Sequence, residues 1–294
     1  MKLGGHQTFH LRESWLHKGM ASLVNDHRIF QDAMASSRLG VGKNMVEAMR
    51  YWLQACQLVK IDDEYSLSKV GSKIYEADPF FELDGTVLLL HYLLATNERQ
   101  ATAWHWFFNK FGATDFDIDG VQVYLTTYLA NTLKKNSSPN VIRREIQCLL
   151  KMYTDVEYRI RETPETENPS PFCRFKSIQK DGEKYRKVGF DVNLIDPLIY
   201  SYCLYLFWIM TERPATISFE NICKQPGSPG VIFGLSSDSN IYILELAKEI
   251  DSAPIAISRS GGYFSISIDE EKAAKTLDFY YDKYSDLLQE SRWL

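Results

Sequence analysis

Apolar and polar positions recur with helical spacing along most of this chain, and with strand spacing in three short hairpins. The clearest helical period runs from Lys43 to Cys56. Met45, Met49, Trp52, Leu53 and Cys56 are spaced by threes and fours and share one face. Lys43, Glu47, Arg50 and Gln54 follow the same spacing on another, so the stretch predicts a helix buried on one side and polar on the other. Gly40 and Gly42 loosen the backbone just before it. Residues 58–61 and 65–68 then read as strands across the polar turn Asp62-Asp63-Glu64. A helix with a polar outer face followed by a short hairpin is the frame of a winged helix-turn-helix, whose second helix enters a DNA groove.

Elsewhere the pattern predicts a helix around 11–21, a largely helical and apolar stretch over 80–112, and a helix pair over 115–133 and 139–152. The aromatic run Trp104, Trp106, Phe107 and Phe108 reads as core or a domain interface. Residues 163–172, with three prolines, are the linker candidate. A hairpin turns at Asp181-Gly182. A helix from Asp196 toward Pro214, a short helix over 217–223, a helix over 237–250 and a hairpin around Arg259-Ser260-Gly261 form a second winged-helix pattern. Ile241, Leu244, Ala247 and Ile250 mark the expected buried face of its longer helix. The fold class expected is mainly α with a minor α+β component: tandem winged helix-turn-helix units flanking a helical middle region. The blocks are 1–80, contacting DNA; 81–162, helical; and 163–294, with the hairpin and second winged-helix unit.

Composition narrows the class. A chain of 294 residues with 45% hydrophobic and 13% aromatic residues is globular, with room for more than one core. Its first residues hold no apolar leader, and the most apolar run, residues 198–210, is too short to span a bilayer, so a cytoplasmic protein is expected. The five cysteines are scattered without a CxxC pair, which excludes a disulfide framework and a zinc knuckle. A net charge of −5 argues against a protein that coats DNA electrostatically. Residues 1–60 nevertheless hold eight Lys/Arg against four Asp/Glu, a local +4, leaving −9 for the remainder. That asymmetry suits a specific DNA contact near the N-terminus and partner docking or dimerisation near the C-terminus.

Candidate chemistry follows the same division. His6, His10, Glu13 and His17 would share a face if all were helical, which raises a metal site, although Gly4-Gly5 opposes a helix at His6. Gly40-Val41-Gly42-Lys43 lacks P-loop spacing and has Asn44 where Ser or Thr would hold magnesium, which argues against nucleotide hydrolysis. It reads instead as a phosphate cradle at a helix start, or as an ordinary helix N-terminus. Lys134, Lys135, Arg143 and Arg144 form a second basic cluster, or a solvated face. Asp181, Glu183 and Lys184 echo the carboxylates and lysine of restriction-type nucleases without a supporting strand core.

Gly5-His6-Gln7-Thr8-Phe9, Arg12, Trp15-Leu16, Lys18-Gly19 and the block 39–46, with Ser228-Pro229-Gly230, Phe233 and Leu235 near the other end, resemble the family called domain of unknown function 4007. The resemblance implies a component of bacterial DNA phosphorothioation and phage-defence clusters that nicks one DNA strand, with a divalent metal such as magnesium. It also implies double-stranded DNA and the other proteins of such a system as partners: a cysteine desulfurase, an ATPase and an ATP-pyrophosphatase-type sulfurtransferase. It carries no catalytic residues over. Arg12, Lys18, Lys43, Asn44, Arg50 and Gln54 are the expected DNA contacts, and His6 and Glu13 the expected catalytic pair. The alternative is a non-catalytic adaptor or regulator-like DNA-binding protein that recruits partner enzymes.

Overall fold

The structure, a computed structural model, describes residues 1–154 and 169–291. In chain order its elements are α1 (Glu13–Asn25), α2 (Ala35–Leu39), α3 (Lys43–Ala55), β1 (Val59–Ile61), β2 (Tyr65–Leu67), α4 (Lys69–Ala77), α5 (Asp84–Thr96) and α6 (Thr102–Asn109). There follow β3 (Asp115–Asp117), α7 (Ile118–Asn131), α8 (Pro139–Tyr153), β4 (Ile178–Asp181), β5 (Lys184–Lys187), α9 (Pro197–Met210), β6 (Ile217–Ser218) and α10 (Phe219–Lys224). The last are α11 (Pro229–Ile232), α12 (Ser237–Lys248), β7 (Ile255–Ser260), β8 (Tyr263–Ile268), α13 (Glu270–Lys283) and α14 (Ser285–Ser291). The protein is mainly helical, with small antiparallel sheets.

The chain forms two compact units, each discontinuous in sequence: residues 1–75 with 93–188, and residues 76–92 with 189–294. Sequence breaks had suggested three consecutive blocks. Residues 163–168 of the expected linker lie outside the described residues, and Pro171–Phe175 form a short 3-10 turn.

The first unit begins with α1, α2 and α3 and the hairpin β1–β2, paired Val59↔Leu67 and Ile61↔Tyr65. Gly40 ends α2 in the left-handed region, at φ +64°, and lets the chain turn directly into α3. The apolar face expected for α3 is present: Met49, Trp52, Leu53 and Cys56 are fully buried, joined by Ala48, Tyr51 and Ala55. Gly19 of α1 is where the two helices touch, since a Cβ there would stand 2.7 Å from Leu53 Cδ1. The same unit continues as helix α6, strand β3, helices α7 and α8, and hairpin β4–β5. Asp117 and Ser138 cap α7 and α8 by accepting the backbone N–H groups of Gly120 and Val141. Strand β5 lies between β3 and β4, so the expected hairpin gains a third strand, β3, from a stretch expected to be helical, with Phe116 stacked on Tyr185. Three-residue β3 is too short to register as a strand period, which is why the sequence pattern passed over it.

The second unit repeats the order: helix α9, strand β6, helices α10, α11 and α12, and hairpin β7–β8, with the last strand again in the centre. The helix expected over 217–223 opens as β6 before α10 starts at Phe219. On α12 the buried residues are Asn240, Ile243, Leu244 and Ala247, a face rotated from the one the apolar spacing marked. Buried Asn240 causes the rotation, because its amide is committed inside: Oδ1 accepts from Tyr200 Oη at 2.5 Å and Nδ2 donates to the Ser236 carbonyl at 2.9 Å. The unit also needs the first residues of α5. Thr86 and Tyr281 hydroxyls lie 3.2 Å apart, Tyr92 Oη donates to the Gly227 carbonyl at 2.8 Å, and Gly85 has no room for a Cβ beneath Tyr280.

Candidate nucleic-acid interface

Helix α3 enters from Gly42, whose extended backbone (φ −63°, ψ 156°) leaves the N-terminus without a side-chain cap. Lys43 and Asn44 form the exposed first turn. The first N–H groups of a helix lack intrahelical acceptors and carry partial positive charge, so with the Lys43 ammonium beside them they can hold a phosphate oxygen. Two turns on, Arg50 is half-buried and ion-paired with Glu47 on the same stripe. Lys18 Nζ donates to the Leu39 carbonyl at 3.0 Å, which joins α1 to the end of α2, close before the α3 turn.

Two expected contacts point inward. Gln54 is 9% exposed and its Nε2 donates to Tyr65 Oη at 3.1 Å, because the hairpin folds across the last turn of α3. Arg12 is 9% exposed, its guanidinium 4.7 Å from the centre of the Trp15 ring. The polar groups left at the surface of α3 are therefore Lys43 and Asn44 at its start and the Glu47–Arg50 pair beyond, and Gln54 and Arg12 hold the fold around them.

His6 and Glu13 occupy different environments. His6 is 1% exposed, in contact with the rings of Tyr51, Trp52 and Trp104. Its Nε2 lies 3.1 Å from Glu145 Oε1 on α8, and the same carboxylate oxygen accepts the Gly4 backbone N–H. The Thr8 backbone N–H donates to Nδ1 at 3.1 Å, so the neutral ring carries its proton on Nε2, aimed at Glu145. Burial pushes the imidazole pKa down, whereas the Cys148 thiol and the Glu145 carboxylate raise it, with a balance at about 10. The Thr8 N–H resists that protonation, since a charged ring would set two donors against each other at Nδ1. Phe9 completes the arrangement: its carbonyl accepts from Trp52 Nε1 at 3.1 Å and from Cys148 Sγ at 3.8 Å. Residues 4–9 thus tie α3 to α8. Gly5 is required there because a Cβ would fall 2.4 Å from Tyr51 Cδ2. Glu145, Cys148 and Trp104 complete this cluster; nothing in their local spacing connects them to His6, more than ninety residues away.

Glu13 opens α1 and meets Arg174 at 2.5 Å. Helix α1 starts at Glu13, so His6 and His10 lie before it and the four-residue face does not form; His17 stacks on Tyr75 instead. Magnesium takes oxygen ligands at open octahedral positions. His6 offers a buried ring nitrogen already engaged, and the Glu13 carboxylate is held by a cation, so this pair does not fit that ion. Among the described residues no group of three His, Cys, Asp or Glu side chains could hold a metal. Asp181 and Glu183 stand at an exposed hairpin tip. A shallow depression lined by Asp119, Gln122, Val123, Thr126, Thr127 and Arg143 contains one carboxylate, paired with Arg143 at 2.5 Å.

Residues 3–284 match the family described as "Protein of unknown function (DUF4007)". No curated protein matches the chain. Two solved structures share its fold at 24% identity, each over 96% of this chain and 88% of the other. One is described as an SspB crystal structure, with a TM-score of 0.84, and the other as a magnesium ion-bound SspB crystal structure, with a TM-score of 0.85.

Proposed function

The chain belongs to the DUF4007 family, and from that premise we propose that it is the DNA-binding component of a bacterial phosphorothioation and phage-defence system. The observation that carries the reading is the uncapped, exposed N-terminus of α3, where Lys43 and Asn44 stand ahead of a helix–hairpin arrangement. We read α1, α2, α3 and β1–β2 as a winged helix-turn-helix with α3 as its groove-facing helix. The likeness of the whole fold to structures called SspB supports the same assignment by analogy. On this reading the protein meets DNA together with the desulfurase, ATPase and sulfurtransferase that deliver sulfur. Site-specific strand nicking is the proposed activity, and magnesium, bound in one related structure, the proposed ion. No catalytic step is assigned to His6 or Glu13, since one is enclosed and the other ion-paired.

The outward face of α12 favours a different partner for the second unit. Asp238, Tyr242, Leu246 and Glu249 are exposed there, a mixture of acids and apolar groups that phosphates repel and a protein surface accepts. No helix among the described residues is long and apolar enough to cross a membrane.

The test is direct. The full-length protein should shift a duplex and convert supercoiled plasmid to the open-circular form with Mg²⁺ or Mn²⁺. Duplex binding with an intact plasmid across a divalent-metal series would select the adaptor reading. Loss of both would end the assignment to DNA.

A further inference from the structure

We propose that α8, and not α3 alone, is a DNA-reading helix, so that the first unit carries two duplex contacts of the same kind. This rests on the reading that the protein binds DNA and adds a site to it.

The first observation is topological. Helix α6, strand β3, helices α7 and α8, and hairpin β4–β5 follow each other as helix, strand, helix, helix, hairpin, with the final strand central. In a winged helix-turn-helix the groove-facing helix is the second of the helix pair, ahead of the hairpin in that order, and among the described residues that position is held by α8, with the short 3-10 turn Pro171–Phe175 between it and β4.

The second observation is the surface of α8. Its inner side is closed by Ile142, Glu145, Ile146, Leu149 and Met152, all buried. Its outer side carries Asn140, Arg144, Gln147 and Lys151, all exposed. Their spacing of four, three and four places them on one stripe, about 16 Å long at 1.5 Å per residue. These are the side chains suited to a groove: Arg pairs with guanine and Asn or Gln with adenine through paired donors and acceptors, and Lys neutralises a phosphate. No acid interrupts the stripe, because Glu145, the only carboxylate of α8, faces inward to His6. Lys134 and Lys135 stand exposed in the turn before the helix, and Lys180 and Lys184 on the hairpin beyond it.

Comparison with the other two helices in equivalent positions sharpens the case. On α3 the one arginine of the stripe is neutralised by Glu47. On α12 the exposed stripe includes Asp238, and exposed Glu249 follows at the end of the helix. Of these three helices, α8 is the one that presents several groove-reading side chains with no acid on its outer stripe. An acidic protein can thus bind duplex DNA because its positive field is confined to such faces.

The experiment uses the full-length protein and a pool of 20-base-pair duplexes with a randomised centre, from which the wild type selects its preferred sequence. Arg144→Ala and Gln147→Ala should each weaken binding to that sequence between about fivefold and about a hundredfold, and weaken binding to a scrambled duplex far less. Lys151→Ala should weaken both about equally and make the salt slope shallower by about 1. All three positions are exposed, so the thermal transition should stay at the wild-type temperature, which keeps loss of binding separate from loss of fold. Wild-type binding with undiminished affinity in all three variants overturns the inference while leaving the DNA reading intact. Absence of binding by the wild type to any duplex overturns both. Equal losses on preferred and scrambled duplexes for Arg144→Ala and Gln147→Ala would make α8 a backbone contact and overturn its reading role.

Discussion

Lys43 and Arg50 share a stripe on α3 but differ in state, and their substitutions should separate accordingly. Lys43 is exposed at the helix start, so Lys43→Ala should reduce affinity for all duplexes alike and make the salt slope shallower by about 1, read by titration at two ionic strengths. Arg50 is held by Glu47. Glu47→Gln should release it and remove a repulsive charge, so affinity for duplex DNA should rise in the same titrations; an unchanged value would place Arg50 outside the interface. Lys187 offers a pH-dependent test away from DNA. Its Nζ donates to the Phe107 carbonyl at 3.0 Å and lies over the Phe107 and Phe108 rings, and burial lowers its pKa from 10.5 to about 8. Between about 8 and 10.5 the unfolded chain binds a proton that the folded chain lacks, so this group makes stability rise with pH across that window. Below about 8 the folded ammonium bears the whole burial penalty. Lys187→Met should therefore stabilise the protein at neutral pH, on the order of 1–3 kcal/mol, with a gain that shrinks toward pH 10.5. Chemical denaturation of both proteins across that range measures it.

At the scale of elements, α3 is fixed by its interior face more than by its surface. Met49 is fully buried against α1, so Met49→Asp would place an unpaired carboxylate in that contact. The variant should lose its cooperative transition or unfold several kcal/mol earlier in urea, whereas Met49→Leu should remain close to wild type. The N-terminal segment acts at the same scale. His6 and Glu13 are the catalytic pair expected from the histidine- and acid-bearing N-terminal segment, and His6 lies within Gly5-His6-Gln7-Thr8-Phe9. In the folded chain that stretch ties α3 to α8, the two helices proposed to contact DNA.

At the scale of the whole molecule, the two discontinuous units decide which fragments can be studied. A fragment of residues 190–294 would lack residues 84–92, which supply Thr86, Tyr92 and the close approach at Gly85. It should show no cooperative unfolding by circular dichroism, and a sharp, wild-type-like transition would refute that dependence. Partner docking by α12 is therefore to be tested in the full chain, by substituting Tyr242 and Leu246.

Much of this was legible in the chain itself. Repeating apolar residues by threes and fours dictated the helices, because any such period buries one face of a helix wherever it later packs. The same logic identified α3 and much of its interior face, and strand spacing with turn residues identified the three hairpins. Local spacing could not determine what fills the space beside a side chain. Gln54 belongs to the polar period of α3, yet a hairpin eleven residues on covers it. His6 meets Glu145 across 139 residues of sequence. The strands β3 and β6 are too short to leave a period, and each exists because a distant hairpin pairs with it. The sequence by itself determined most of the helices, the inward face of α3 and the charge asymmetry, since these depend on neighbours within a turn or two, whereas the inward face of α12 turned on the buried amide of Asn240. The tertiary structure alone decided which polar groups stay at the surface, because burial is set by whatever part of the chain returns to cover them.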